Sequence, residues 1–259
     1  SMFHNFQEME DYIKSQNIKK RLVLANAHDE DVLEAVVTAR KRGVIEPILI
    51  GKEDKIRELL AEMGEVAEDY PIIPCQDERE AARMACRMVK DKEADIPMKG
   101  LMQTASFMRA ILDKEAYGFV PDGSQLSQAT VMEYQGRLMI ATDCAVNVAP
   151  DYSEKVKIIN NAVKLAGKLG IQCPKVAVIT PVEVVNPKMQ STVDAAIPQH
   201  RHPVADIHDF PQPVGDDNDS IPLIPQPFQN PEEILRFLGG EHAGRLVQNQ
   251  QAYIPVQGL

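Results

Sequence analysis

Between residues 20 and 112, short apolar runs and amphipathic segments take turns along the chain, and that rhythm leaves few folds open. Arg21-Leu22-Val23-Leu24-Ala25 is a β-rich apolar run that follows a polar helix predicted around 6–15. Residues 29–42 then carry Val32, Leu33, Val36, Val37 and Ala35 or Ala39 at the spacing of one helix face. Asp29, Glu30 and Asp31 supply acids where the helix dipole favours them, and Gly43 provides the stop. Residues 46–51 (EPILIG) read as a second buried strand ending in a turn, and the cycle repeats with helix 52–63, strand 70–74 and helix 77–92. The segment 96–104 (IPMKGLMQT) closes the series and feeds a helix that runs to Leu112. Strands and helices that alternate with short connections imply a parallel sheet with right-handed crossovers.

The second half begins after a polar connection, 114–124, punctuated by Gly and Pro. Two β-rich runs, 129–134 and 137–141, flank Gln135-Gly136, the signature of a tight hairpin. A helix over 153–169 follows, with Val156, Ile159, Val163, Ala166 and Leu169 as its packing stripe. Next comes an apolar run, 175–180, that predicts a strand in the same sheet as 138–141. The polar loops 142–147 and 186–192 both fall just past predicted strand ends, the edge at which open α/β sheets take ligands.

Composition narrows the partners. A chain of 259 residues holds one large domain or two ordinary ones, and 44% apolar with 25% charged residues is an ordinary globular profile. The net charge of −10 argues against nucleic acid, whose phosphates attract a basic face, but leaves room for a small anion in a local basic pocket. No run approaches the ~18 apolar residues that span a bilayer. The opening SMFHNFQEMEDYIKS lacks a basic region followed by an apolar core, so no signal peptide is read there, and the Ser before Met reads as a tag remnant. Cys75, Cys86, Cys144 and Cys173 show no C-x-x-C spacing, which fits reduced thiols in a cytoplasm.

Several residues stand where chemistry is done. Lys99, Gly100 and Thr104 lie where a helix begins, so an ammonium, free amides and a dipole end together favour an anion; the plainer reading has Gly100 making a turn and Thr104 capping the helix. Asp143 is either a structural carboxylate that holds loop amides or a substrate-side group, with Thr142 beside it. Asn147 offers a donor and an acceptor suited to orienting a thioester carbonyl. In the loop after 175–180, Asn186 precedes Lys188, a cation able to meet phosphate as a point charge, while Ser191 with Asp194 approximates a capping box. Cys144 has no His near it in sequence and reads as a small buried side chain rather than a nucleophile. Asp29, Glu30 and Asp31 read as helix-start charges rather than a metal cluster, and His200, His202 and His208 fit no zinc spacing well.

The wording of these segments resembles the phosphate acetyl/butyryl transferase family. Residues 39–51 match its A-x-x-x-G-x-I-x-P-I-L-x-G phrase and 98–112 its M-K-G-x-x-x-T-x-x-x-L-R-A-V-L phrase. Residues 142–150 match T-D-A-A-M-N-I-A-P, with Cys144 replacing an alanine, and 185–196 match V-N-P-K-M-x-S-T-x-D-A-A. The resemblance implies two α/β domains with mainly parallel sheets and an interdomain cleft, of the isocitrate/isopropylmalate dehydrogenase kind. It places a first domain at 1–125, the start of a second at 126–196, and an atypical Pro-rich tail at 197–259. It implies acyl transfer between coenzyme A and inorganic phosphate, with Asp143, Asn147 and Lys188 catalytic. Lys99, Gly100, Thr104, Thr142, Asn186 and Ser191 would bind substrate, and the two groups of residues are expected to converge on one cleft. The coenzyme A thioester would be a substrate; no bound cofactor, metal, nucleic acid or membrane is implied, and the protein would be a cytoplasmic homodimer or higher homo-oligomer.

The resemblance runs to Ala196. Residues 197–259 hold nine of the 18 prolines and four of the six histidines, with a short helix predicted at 231–238. The family's V-D-G-P-x-A-x-D phrase and final S-R-A-D-S-like segment, associated with coenzyme A and phosphate handling, are not found there. The tail therefore reads as an altered reading frame, a lineage-specific replacement, or an extended arm over a neighbouring subunit. The alternative to an enzyme is a non-catalytic relative that keeps the scaffold as a binding or oligomeric protein.

Overall fold

The computed structural model describes residues 2–176, 178–179 and 185–196. They group into two compact units: one spans 6–126, and the other runs from 127 onward together with residues 2–5.

The first unit is the alternating α/β series. Helix α1 (Phe6–Ser15) leads into β1 (Lys20–Ala25), α2 (Glu30–Lys41), β2 (Ile45–Gly51) and α3 (Glu53–Glu62). After a short 3-10 turn come β3 (Ile72–Pro74), α4 (Glu78–Lys90), β4 (Ile96–Lys99) and α5 (Thr104–Ile111). The four strands are parallel in the order β3-β2-β1-β4, with Ala25 opposite Ile50 on one side and Lys99 on the other. Strand β1 is buried on both faces, which is why its sequence is a continuous apolar run rather than an alternating one. Its side chains still divide by the period of two. Leu22 and Leu24 pack with Leu33, Val36 and Val37 of α2 and with Ile56, Leu59 and Leu60 of α3. Val23 and Ala25 pack with Ala81 and Ala85 of α4. Helices thus cover both faces, as the sequence rhythm demanded.

Local signals set the boundaries. Asp29 caps α2 by accepting from Val32 N at 3.1 Å, and Asp77 caps α4 through Glu80 N at 2.9 Å, each worth about 1 kcal/mol of helix stability. Gly43, at φ +76, carries the chain out of α2. Helix α5 differs: its cap position is Gln103, whose side chain makes no capping bond, and Thr104 is the first residue inside the helix. Thr104 is therefore not the cap.

The order β3-β2-β1-β4 places a topological switch between β1 and β4, since the chain leaves β1 toward β2 and returns on the far side. The loops that follow β1 and β4 open at that switch, the position where doubly wound sheets bind ligands. Gly100 locks the two strand ends together: its N–H donates to Ala25 O at 2.8 Å, and Leu101 N donates to Asn26 O at 3.0 Å.

The second unit opens with the hairpin β5 (Ala129–Tyr134) and β6 (Arg137–Thr142), antiparallel, with Tyr134 opposite Arg137. Gln135 and Gly136 take φ +47 and +72, as the expected two-residue turn requires. Helix α6 (Tyr152–Lys168) packs on β6 and buries Ile158, Val163 and Ala166. Its start is a reciprocal capping box: Asp151 Oδ1 accepts from Glu154 N, and Glu154 Oε2 from Asp151 N, both at 2.8 Å. Helix α7 (Gln190–Ala196) ends the described chain.

Two expectations for this unit are corrected. The described sheet is the antiparallel hairpin alone, and Lys175, Val176, Val178 and Ile179 have no strand geometry. A strand exists only by pairing, and among the described residues nothing pairs with this run, so Val176, Val178 and Ile179 lie exposed despite their β propensity. The helix expected at 231–238 and the His200, His202 and His208 group lie outside the described residues. Among the described residues no helix is long and apolar enough to cross a membrane, and no group of three or more His, Cys, Asp or Glu could hold a metal ion.

A Cβ built on Gly100 would stand 2.1 Å from Asn26 O and 2.6 Å from Ala25 O, backbone atoms that cannot swing away. Gly100→Ala is therefore expected to force β1 and β4 apart and to lower stability by about 1–3 kcal/mol. Urea denaturation of the full chain checks this; a variant as stable as the parent would show that the junction yields freely.

Candidate functional site

The candidate residues fall into two groups, one in each unit. In the first unit, Lys99 is the last residue of β4, Gly100 the first of the following loop and Thr104 the first of α5. Lys99 Nζ donates to Gly100 O at 3.3 Å and Met102 O at 3.1 Å, which leaves one N–H of the ammonium with no partner among the described residues. Burial lowers the Lys99 pKa, and Glu78 and Asp29 pull against it through their charges. The first turn of α5 carries no acid and no side-chain cap, and the exposed Thr104 hydroxyl has no partner among the described residues. Glu78 from α4 reaches this helix start, accepting from Ser106 Oγ at 2.8 Å and from the Gln103 N–H at 3.4 Å. The corner is a mixed one, with a cation and free helix-start amides beside a carboxylate that is already engaged.

Sequence reasoning missed Asn26. It takes φ +62, bridges the β1 and β4 loops by donating Nδ2–H to Leu101 O at 2.8 Å, and keeps a buried Oδ1 with no partner among the described residues. An Asn directly after a buried strand was the available signal, since Asn tolerates the left-handed region better than other non-glycine residues.

In the second unit, Thr142, Asp143 and Asn147 form one network. Asp143 Oδ1 accepts from Ala145 N and Val146 N at 2.9 Å each, and Oδ2 accepts from Gln128 N at 3.1 Å and Asn147 Nδ2 at 2.5 Å. Thr142 Oγ1 donates to Gln128 O at 2.6 Å. Of the two readings open for Asp143, the geometry is that of a carboxylate holding loop amides, with four donors on its two oxygens. Gln128 was missed for lack of any motif: its main chain meets Thr142 and Asp143, while its Oε1 accepts from Cys144 N at 3.0 Å. Cys144, expected as a small buried residue, is exposed because it sits on the outer turn of this loop. Desolvation of its sulfur, with Asp143 adjacent, raises the thiol pKa, so it is no ready thiolate.

The loop 186–192 is a compact knot. Asn186 Oδ1 accepts from Lys188 N at 3.0 Å, and Asn186 N donates to the buried Thr192 Oγ1 at 2.9 Å. Lys188 itself is exposed. The capping role expected for Ser191 is corrected: α7 already begins at Gln190, which places Ser191 inside its first turn. Asp194 is likewise occupied elsewhere. Its Oδ1 accepts from Gln190 Nε2 at 2.7 Å and its Oδ2 from Lys155 Nζ at 2.5 Å.

That last bond orders the second group. Lys155 lies four residues past the cap Asp151, in the first turn of α6, which the loop 142–150 feeds directly. The Lys155–Asp194 pair therefore fastens the 186–192 knot to the same helix end. Burial would raise the Asp194 pKa, but the hydrogen bonds from Lys155 and Gln190 outweigh it and hold the carboxyl below its usual range. A carboxyl lowered on folding stabilises above its unfolded pKa of about 3.9 and loses that contribution as pH falls through the lower folded value. Lys155→Met leaves a buried carboxylate without its cation and is expected to cost about 3 kcal/mol. Amide exchange at 186–195 should accelerate in this variant at pH 7, and in the parent only below about pH 4; unchanged exchange in the variant would show that the pair does not hold the knot.

Comparison with known proteins gives this geometry its context. The family described as phosphate acetyl/butaryl transferase matches residues 75–197. A phosphate butyryltransferase of Clostridium acetobutylicum is 41% identical over 198 residues, covering 76% of this chain and 65% of its own. A phosphate acetyltransferase of Thermotoga maritima is 38% identical over 180 residues, covering 69% and 60%. The chain thus spans slightly under two thirds of the length of these relatives. Among solved structures, a branched-chain phosphotransacylase from Enterococcus faecalis superposes with a TM-score of 0.54 at 27% identity, over 69% of this chain and 62% of that one. A phosphotransacetylase from Streptococcus pyogenes, at 21% identity and a TM-score of 0.56 over 75% and 69%, shares the fold. Over the residues that these matches span, the chain belongs to the phosphate acetyl/butyryl transferase family.

Proposed function

We propose that this chain acts in acyl transfer between coenzyme A and inorganic phosphate, with a short-chain acyl group such as butyryl or acetyl as the transferred unit. The observation that carries the reading is Lys99 beside the start of α5, whose own first turn holds no acid and where the nearby Glu78 carboxylate is already engaged by Gln103 N and Ser106 Oγ. In the reaction a phosphate oxygen attacks the thioester carbonyl, the C–S bond breaks, and coenzyme A leaves as a thiolate that takes a proton from solvent. Lys99 and Thr104 would hold phosphate through the ammonium, the Thr104 amide and its hydroxyl, Gly100 would place them by spending its own amide on Ala25 O, and Lys188 would add a second positive charge. Asn147 would orient the thioester carbonyl, with Thr142, Asn186 and Ser191 as further polar contacts. Asp143 serves this scheme by fixing the loop that presents Asn147 through the four hydrogen bonds it accepts. The chemistry is positioning and charge neutralisation, and calls for no bound cofactor or metal.

The proposal extends to a cytoplasmic homo-oligomer of the two-domain dehydrogenase-like architecture, with domains at 1–125 and 126–196 and with 197–259 as a strap over a neighbouring subunit. A second reading, a non-catalytic relative that retains ligand binding, draws on the family phrases not found in 197–259.

The test is thiol release from butyryl-CoA in the presence and absence of phosphate. With no Ser-Arg-Asp phrase in 197–259, the expected rate of this chain depends on phosphate but lies about 10²- to 10³-fold below that of a full-length phosphate butyryltransferase, the usual cost of one lost charge partner in the transition state. Lys99→Ala and Lys188→Ala should each lower it by a further tenfold or so. Butyryl-CoA binding without phosphate-dependent release would favour the second reading, and neither binding nor release would defeat both.

A further inference from the structure

Lys99 is held differently from the ion-paired lysines of the first unit. Lys14, Lys41, Lys55 and Lys114 each face a carboxylate oxygen, at 2.8, 2.7, 3.1 and 2.7 Å. The half-buried Lys99 instead places Nζ on two main-chain carbonyls, Gly100 O at 3.3 Å and Met102 O at 3.1 Å, and has no carboxylate within ion-pair reach among the described residues. Glu78, the acid at this corner, spends its two oxygens on Ser106 Oγ and Gln103 N.

That arrangement decides what the nitrogen can do. An ammonium carries three N–H donors; the neutral amine carries two, with a lone pair in the third place. Both carbonyls accept an N–H and neither can give one. Deprotonation therefore keeps both bonds and leaves the side chain where it is. Only the third position changes, from the donor that an anion would meet to a nucleophilic lone pair. A carboxylate partner opposes that step, as at Lys55, where the hydrogen bond to Glu58 raises the pKa. At Lys99 burial lowers it, against the pull of Glu78 and Asp29.

We propose that Lys99 is a self-acylation site, its amine taking the acyl group from an acyl phosphate seated at this corner and releasing inorganic phosphate. The inference rests on the reading that the corner takes a phosphate, and its reagent is the product of that same reaction. In an acyl phosphate a single oxygen joins phosphorus to the carbonyl carbon, so a phosphate held by Lys99 and Thr104 brings that carbon beside Nζ. The amine lone pair forms the N–C bond. The C–O bond to the bridging oxygen breaks with its electron pair going to the leaving phosphate, which also takes the proton that the nitrogen gives up. The seated phosphate itself favours the ammonium, so the transfer is slow beside turnover and accumulates. Its product is an uncharged amide with one N–H. Phosphate then loses its cation, and the acyl group lies in its place. Acyl phosphate that builds up in this way closes the site that made it.

The test is labelling of the full chain with butyryl phosphate, mapped by peptide mass spectrometry. Succinimidyl butyrate serves as an acylating agent that carries no phosphate, and the exposed Lys55 and Lys164 as internal standards. Butyryl phosphate is expected to label Lys99 at least about tenfold faster than either standard, the gain that a bound and oriented reagent supplies. The succinimidyl ester should label it no faster than they are labelled. Inorganic phosphate should suppress labelling at Lys99 alone, and Lys99→Arg should remove the fast site while Lys55 and Lys164 react as before. The parent chain decides even if that variant folds poorly. The response of the Thr104 amide to inorganic phosphate, followed by NMR, reports on the phosphate reading independently. Lys99 labelled no faster than the standards, with Thr104 responsive, overturns the proposal and spares the phosphate reading. Fast labelling of Lys99 by both reagents, unchanged by inorganic phosphate, shows an amine that phosphate does not direct and overturns the proposal as well. A Thr104 amide that ignores phosphate, with no protection at Lys99, overturns proposal and reading together.

Discussion

Everything at the ligand edge of the first unit hangs on the approach of Gly100 to the end of β1. The Gly100 amide reaches Ala25 O, the Leu101 amide reaches Asn26 O, and the Asn26 side chain returns the bond to Leu101 O. Those three bonds set where Lys99 stands and where α5 starts. They also explain a residue choice that no side-chain contact explains, because the space beside Gly100 is filled by carbonyl groups rather than by side chains. The buried Asn26 Oδ1 follows from the same geometry: an amide spent bridging two loops has one end committed and the other enclosed.

The two units solve the problem of holding a polar loop in different ways. In the first, strand ends packed between two helical layers fix the loops. In the second, the hairpin offers little support, and the loops are fixed by their own polar groups: Asp143 gathers four donors, Asn186 and Thr192 tie a knot, and Lys155 fastens that knot to α6. A side chain used as internal scaffolding cannot also do proton chemistry with the same lone pairs. This is why Asp143, conspicuous in sequence, belongs to the loop's support, while the exposed Lys188 beside the Asn186 turn remains available to a ligand.

Much of the fold was legible because it rests on local chemistry. The apolar rhythm, the acids at the start of α2, Gly43 and the Gln135-Gly136 turn each have a mechanism that acts within a few residues. What was not legible depends on distant atoms. The run 175–180 has strand composition, but strand geometry needs a neighbour that the described residues do not provide. Ser191 had the right spacing to Asp194 for a cap, yet Asp194 was already drawn to Lys155, 39 residues earlier. Gln128 carries no motif, and its importance comes from lying just before Ala129, the residue opposite Thr142 across the hairpin.

The pairing of β1 with β4 also has a kinetic meaning. The bonds that join these strands close loops of 74 and 75 residues, as in Arg21 N to Asp95 Oδ2 and Asn26 Nδ2 to Leu101 O. Contacts of such long range carry a large closure entropy and form late, after the local β1-α2-β2 segment has given the chain something to dock against. The edge that holds Lys99 and Asn26 is then absent from any half-folded form of this unit. A ligand bound there recognises only the completed sheet, and by mass action it draws the whole unit toward the folded state rather than stiffening one loop. Anything that binds this edge is in this way linked to the folded fraction of the protein through a single glycine's contact with a strand end.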